Sequence, residues 1–141
     1  MVNTFLPSPI FAESARMLDY RRLGKQRVEC MQILNVLEKL KSWDGVEKIG
    51  WRNHPATRMW LGHEPALKQY TNIMIQEWID RGYNNNMAFY QYDPKHINYP
   101  IWLNDDRFHA SHRSNLLRKD PDYYGRFNWS ESPDLEYVWP V

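Results

Sequence analysis

Apolar residues recur at helical spacing over much of the chain, and this pattern restricts the possible folds more than any other feature. Residues three, four or seven positions apart lie on one face of an α-helix. Ser8 and Pro9 form a typical helix start, with serine as the cap and proline in the first turn. The spacing therefore predicts one long helix from about Pro9 to about Leu40. Its apolar positions are Leu18, Leu23, Val28, Met31, Leu34 and Leu37.

Three further helices are predicted in the rest of the chain. Residues 54–61 form a short helix, residues 64–81 a longer one that Gly82 ends as C-terminal cap, and residues 105–117 the last. No segment alternates apolar and polar residues as a half-buried strand does. The sequence thus predicts an all-α fold: one compact domain over residues 1–141, a bundle of about three main helices with long coil segments and a coil tail.

Gly24 lies inside the first predicted helix. An interior glycine costs a helix on the order of 1 kcal/mol relative to alanine. We therefore expect that the helix bends at Gly24 or that another element approaches its backbone closely.

The composition restricts the compartment and the kind of protein. A chain of 141 residues has the size of one domain. Cys30 is the single cysteine, so no internal disulfide can form, and its apolar setting predicts a core position. No stretch approaches the roughly 20 apolar residues of a membrane helix, and the first residues do not form a signal peptide. We expect a monomer without membrane contact, in the cytoplasm or, for a viral protein, in the host cell.

Basic residues are concentrated in two segments, residues 16–27 and residues 107–119, although the net charge is only +1. A nearly neutral protein with segregated charge can still present a basic face. The two segments therefore predict nucleic acid as the partner, and the alternative is two solvated helix faces. The basic residues are Arg16, Arg21, Arg22, Lys25, Arg27, Arg107, Arg113, Arg118 and Lys119.

Glu29 is the candidate reactive carboxylate. Arg22, Gln26 and Glu29 share one helix face, and Lys25 lies beside them. Cations around a carboxylate hold it ionised. One interpretation is a catalytic or substrate-binding carboxylate in a basic cleft, and the other is an intrahelical salt bridge between Lys25 and Glu29.

The run from Trp51 to Trp60 is dense in side chains that bind nucleotides. Asn53, His54 and Arg58 are candidates for phosphate contact, the last two on one helix face. Trp51 and Trp60 could each stack on a base, an interaction of about 1–3 kcal/mol in single-strand binders. The alternative is that both tryptophans belong to the core.

His109, His112 and Arg113 share a face of the last predicted helix. Phosphate groups accept hydrogen bonds from such mixed donors, so these residues and Lys119 are further candidates for phosphate contact. Two histidines three residues apart could also bind a metal, but the sequence supplies no clear third ligand. We therefore predict no metal.

Several motifs together resemble the pyrimidine-dimer DNA glycosylases, the phage endonuclease V group. The resemblance covers nearly the whole chain and is strongest to a bacterial and viral branch of that group. The general motifs are LDYRRL at 18–23, WIDRGYN at 78–84 and YYG at 123–125. The branch motifs are RLGKQRVE at 22–29, WRNHP at 51–55 and SHRSNLL at 111–117.

This resemblance implies a compact helical fold, double-stranded DNA with a damaged or modified base as partner, and no metal or other cofactor. It also implies a mechanism in which the α-amino group of the mature N-terminal residue attacks the sugar C1′. A glutamate on the first long helix assists, an imine forms, and β-elimination nicks the strand. An α-amine has a pKa near 7.7–8.0, so part of it is a free base at neutral pH, and base flipping would expose the sugar.

Two residues depart from the family pattern. Arg22 stands at the position of the family glutamate, and the N-terminal residue after removal of Met1 would be Val2 rather than threonine. Glu29 lies two turns further along the same face, about 10 Å away. The resemblance thus assigns the attacking amine to Val2, and Glu29 is the candidate for the assisting carboxylate. Basic positions that contact DNA in the family are matched by Arg16, Arg21, Arg113 and Lys119.

Three functions remain open at this point. The first is a DNA glycosylase, with or without lyase activity, that uses Val2 and Glu29. The second is a DNA-binding module without catalysis. The third is an enzyme for a free nucleotide or another phosphorylated small molecule. In the third, a closed pocket around Glu29 would be lined by His54, Arg58, His109, His112 and Arg113.

Overall fold

A computed structural model describes residues 3–40 and 54–140, and these residues form α-helices, 3-10 turns and coil without a strand. The all-α class is therefore confirmed. The helices are α1 (Phe11–Met17), α2 (Tyr20–Leu40), α3 (Pro55–Arg58), α4 (Glu64–Asp80), α5 (Asp106–Lys119) and α6 (Pro121–Tyr124). The 3-10 turns are Ile101–Asn104 and Gly125–Phe127.

The prediction of a single helix from Pro9 to Leu40 is wrong, because residues 18–19 interrupt the helix between α1 and α2. Leu18 is extended, with ψ 139°. The backbone N–H of Asp19 donates to the Tyr124 hydroxyl at 3.1 Å, and that hydroxyl donates to the Asp19 carboxylate. A contact between residues 105 positions apart thus interrupts a helix that local spacing favours.

The other helices lie close to their predicted positions. Helix α4 ends at Asp80, and Gly82 follows with φ +92°, as a C-terminal cap requires. Helix α5 begins after Asp105, whose side chain accepts from Arg107 N. Helix α3 is shorter than the predicted 54–61, and Pro121–Tyr124 in the tail is helical rather than coil.

The core forms where α2 packs along α4. A Cβ atom on Gly24 would lie 2.9 Å from Cζ3 of Trp78, so α4 approaches the α2 backbone there, one of the two alternatives expected from the sequence. Cys30 is fully buried in the core, as predicted.

Residues 3–8 form a buried, non-helical segment that passes between α2, α4 and α5. Its residue Leu6 is completely buried. Because no helix or sheet satisfies the backbone of this segment, its N–H and C=O groups need side-chain partners. Those partners define the candidate site.

Within the described ranges, none of the helices combines the length and the apolar character needed to cross a membrane.

Candidate active site

The Glu29 carboxylate on α2 contacts the backbone of Asn3, the first residue that the structure describes. The backbone N–H of Asn3 donates to Glu29 Oε2 at 2.8 Å. Burial raises the pKa of the Glu29 carboxyl, while the Asn3 hydrogen bond and the charge of Lys25 oppose the shift. The sequence predicted that nearby cations hold this carboxylate ionised, but burial has the larger effect. The ion pairs of the described residues do not include one between Lys25 and Glu29, so the alternative of an intrahelical salt bridge is not observed.

Gln26 fixes the segment that leads to Glu29. Its Oε1 accepts from Phe5 N at 2.9 Å, and its Nε2 donates to the Asn3 carbonyl at 3.0 Å. The Tyr70 hydroxyl lies 2.6 Å from Gln26 Oε1 and 2.6 Å from the Phe5 carbonyl. Gln26 is completely buried. The prediction that it contacts DNA is therefore wrong, since its polar atoms bind the chain's own backbone.

His109 and His112 of α5 hold the same segment one residue further on. Leu6 N donates to His112 Nδ1 at 3.0 Å, so this ring is neutral and carries its proton on Nε2. Burial lowers the pKa of His112 to about 3. The two ring nitrogens of His109 each lie 2.8 Å from a backbone carbonyl, those of Leu6 and Leu103. Both histidines are buried, so the prediction that they contact phosphate is wrong.

Arg113 is also engaged within the protein. Its Nη1 donates to the Pro7 carbonyl at 2.9 Å, and its Nε pairs with Glu131 at 2.8 Å. Only 15% of its side chain is exposed. Its guanidinium thus anchors the N-terminal segment to the tail, and the phosphate contact by Arg113 stays a prediction.

Trp60 lies inside the core rather than on a binding surface. It is completely buried, and its Nε1 donates to Thr4 Oγ1 at 3.0 Å. A base cannot reach either face of this indole, so the prediction that Trp60 stacks on a base is wrong. The predicted site residues Val2, Trp51 and Asn53 lie outside the described residues.

Four of the basic residues predicted to bind phosphate line an open cleft of about 510 Å³: Arg21, Arg22, Lys25 and Lys119. Both basic segments contribute to it, since the first three lie on α2 and Lys119 ends α5. Arg22 pairs with Asp19 at 3.1 Å. Partial burial, together with the charges of Arg22 and Arg118, lowers the pKa of Lys119. A bound anion would relieve this crowding of positive charge.

Arg16, His54 and Arg58 are not in the lining of this cleft. Arg16 and Arg58 are exposed near the ends of α1 and α3. His54 Nδ1 accepts from Ala56 N and thereby caps α3. Burial lowers the pKa of His54, which favours its neutral form.

The tail brings in a residue that the sequence did not single out. The Oγ of Ser111 accepts a hydrogen bond from Val138 N. This contact places the Tyr137 ring beside the His112 ring, with the two ring centroids 5.3 Å apart. Among the described residues, His112 Nε2 is buried without a hydrogen-bond partner. Buried polar atoms usually have a partner. An aromatic residue in an irregular tail gives no periodic signal from which this position could have been predicted.

Comparison with known proteins identifies one family. The family model described as pyrimidine dimer DNA glycosylase matches residues 2–91. The matched part includes Gln26, Glu29 and three of the four cations of the cleft, whereas Lys119 lies beyond it. No curated protein and no solved structure matches the chain significantly.

Proposed function

Because this chain belongs to the pyrimidine dimer DNA glycosylase family, we propose that it excises a damaged or modified base of the pyrimidine-dimer type from double-stranded DNA through an imine. The N-terminal amine is the nucleophile and Glu29 the assisting carboxylate. The observation that carries this proposal is the hydrogen bond from Asn3 N to Glu29 Oε2 at 2.8 Å.

Covalent geometry limits how far the amine can be from this carboxylate. One residue spans at most about 3.6 Å. If Met1 is removed, the amine of Val2 therefore lies within about 6–7 Å of Glu29 Oε2. An α-amine with an ordinary pKa of about 7.7–8.0 is partly unprotonated at neutral pH. The fixed segment thus supports a nucleophile close to the Glu29 carboxyl group.

The raised pKa of Glu29 suits an acid that later acts as a base. The amine lone pair forms a bond to C1′ while the C1′–N bond to the base breaks, and Glu29 protonates the departing base. The amine then loses a proton, its lone pair forms the C=N bond while the C1′–O4′ bond breaks, and O4′ takes up a proton, which gives the protonated imine. In the lyase step the carboxylate removes a C2′ proton, the 3′ phosphate leaves, and water finally hydrolyses the imine.

The cleft of Arg21, Arg22, Lys25 and Lys119 would hold the DNA backbone. Neutralising a phosphate releases a counterion, so each such contact adds about 0.9 to the slope of log K against log salt. We expect Lys25→Ala to lower this slope by about that amount. Lys95→Ala, at an exposed lysine that is not in the lining of the cleft, is the matched control.

A DNA-binding module without catalysis is the second candidate. The position of Arg22 favours it, because an arginine that lines the cleft and pairs with Asp19 stands where the family has its glutamate. The free-nucleotide enzyme has less support. The pocket it requires would use His109 and His112, which are buried and each contact the backbone of Leu6 through Nδ1.

Borohydride trapping separates the two candidates. The full-length protein is incubated with duplex DNA that carries an abasic site or a pyrimidine dimer, and covalent adducts are counted after reduction. We expect an adduct that disappears when the N-terminal amine is blocked and falls at least 100-fold in Glu29→Gln, about the effect of losing a general acid–base catalyst. Glu64→Gln is the control. Salt-sensitive binding without any adduct would refute the reaction and leave the binding module.

A further inference from the structure

The backbone of the tail is tied to α5 by two hydrogen bonds. Leu135 N donates to Ser114 Oγ at 2.9 Å, and Val138 N donates to Ser111 Oγ at 3.1 Å. Both serines are buried, so these hydrogen bonds lie inside the protein, where water does not compete for them. Tyr137, which precedes Val138, is therefore held against α5.

Tyr137 lies where α5 meets the N-terminal segment and the basic cleft. Its ring centroid is 5.3 Å from that of His112, the residue that accepts from Leu6 N. The Nζ of Lys119, which lines the cleft, lies 5.8 Å from the same centroid. Tyr137 is half-buried, and its hydroxyl is fully buried. A phenol in this place adjoins both the fixed segment and the cleft.

Asn3 is the partner of this hydroxyl. Burial raises the pKa of Tyr137, and a hydrogen bond from the Asn3 side chain opposes the rise, as a donor to a phenol does. The other polar groups of Asn3 are occupied. Its N–H donates to Glu29, and its carbonyl accepts from Gln26. Its Oδ1 accepts from Thr4 N at 2.8 Å, which leaves the buried Nδ2 for Tyr137.

We propose that Tyr137 is a positioning residue of the imine reaction: through the Asn3 side chain it fixes the residue next to the nucleophile and holds the N-terminal amine beside Glu29. Placement matters here, because about 1 Å of displacement of a reacting group can cost about 100-fold in rate. Tyr137 lies beyond residues 2–91, so the tail contributes a part of the site that the matched family model does not cover. This inference rests on the proposed function in that the N-terminal amine is the nucleophile.

Tyr137→Phe tests the hydroxyl and keeps the ring beside His112 and Lys119. We expect the rate of imine trapping at saturating abasic-site DNA to fall about 10-fold, the effect of one lost hydrogen bond, while the Kd for this DNA is unchanged. Tyr90→Phe is the matched control, because Tyr90 is also half-buried against the core and is not in the lining of the cleft. An unchanged trapping rate, or a defect confined to the Kd, would overturn the proposal.

A double-mutant cycle separates positioning from a general loss of stability. If Tyr137 acts through Asn3, Tyr137→Phe should not slow trapping further in the Asn3→Ala variant, which keeps the backbone hydrogen bond to Glu29. Equal effects of Tyr137→Phe with and without Asn3→Ala would overturn the proposal, and circular dichroism checks that each variant is folded.

NMR of the Asn3 side-chain amide detects the contact without any reaction. We expect its signals to shift in Tyr137→Phe, and unmoved signals would refute the contact. A wild type that forms no adduct refutes the reaction itself, whereas shifted signals with normal trapping in Tyr137→Phe refute the positioning role alone.

Discussion

Replacing Gln26 with leucine tests whether buried hydrogen bonds hold the N-terminal segment beside Glu29. The two side chains have similar volumes, so the main loss is polar. Phe5 N–H and the Asn3 carbonyl both lose their partner, whereas the Tyr70 hydroxyl keeps the Phe5 carbonyl.

The magnitude follows from the two backbone groups. A buried donor or acceptor without a partner costs about 1–3 kcal/mol. We therefore expect Gln26→Leu to lower the free energy of unfolding by about 2–6 kcal/mol, a large part of the 5–15 kcal/mol that is typical of a small domain. The rate of imine trapping should fall as well, because the amine is no longer fixed relative to Glu29.

Urea denaturation followed by circular dichroism measures the change in stability, with the slope m expected to stay constant. Gln76→Leu is the control, since Gln76 is exposed on α4 and binds Asp80 at 2.8 Å. This control should stay within about 0.5 kcal/mol of the wild type. A loss below about 1 kcal/mol in Gln26→Leu, or an unchanged trapping rate, would refute the reasoning.

Three further predictions concern the core. Gly24→Ala should destabilise the protein by about 1 kcal/mol in urea, because displacing the Trp78 ring costs more than the gain in helix propensity; stabilisation would contradict the close approach. His112 has a folded-state pKa of about 3, below its unfolded value of about 6.5, so the unfolded chain binds the proton first. The stability that the neutral His112 contributes is complete above pH 6.5 and is lost toward pH 3, by up to about 1.4 kcal/mol per pH unit. NMR should show a neutral His112 ring from pH 7 to 5. Titration of the ring in that range would refute the low folded-state pKa. Burial raises the pKa of the Cys30 thiol, so a thiol-specific reagent should react with it only in denaturant; reaction in the native protein would contradict its core position.

Local pattern was sufficient for α4 and α5 and for some of the packing, but not for the break between α1 and α2. The apolar spacing predicted α4 and α5 to within about two residues. It also predicted the buried Cys30 and an unusual environment at Gly24. These properties depend on residues within a few turns of each other, so the sequence carries them directly.

The positions of the polar side chains depended on contacts that no local pattern contains. Gln26, His109, His112 and Arg113 have the composition of a phosphate site. The structure instead directs them to the backbone of residues 3–8, across separations of up to 106 residues. Helical periodicity gives the face on which a side chain lies but not what covers that face. The sequence by itself determined α4, α5 and the basic segments, whereas the break between α1 and α2 depends on the contact of Asp19 with Tyr124. Only the tertiary structure decided which polar residues hold the N-terminal segment and which cations remain in the cleft, because a buried backbone segment without secondary structure must take its hydrogen bonds from the nearest side chains.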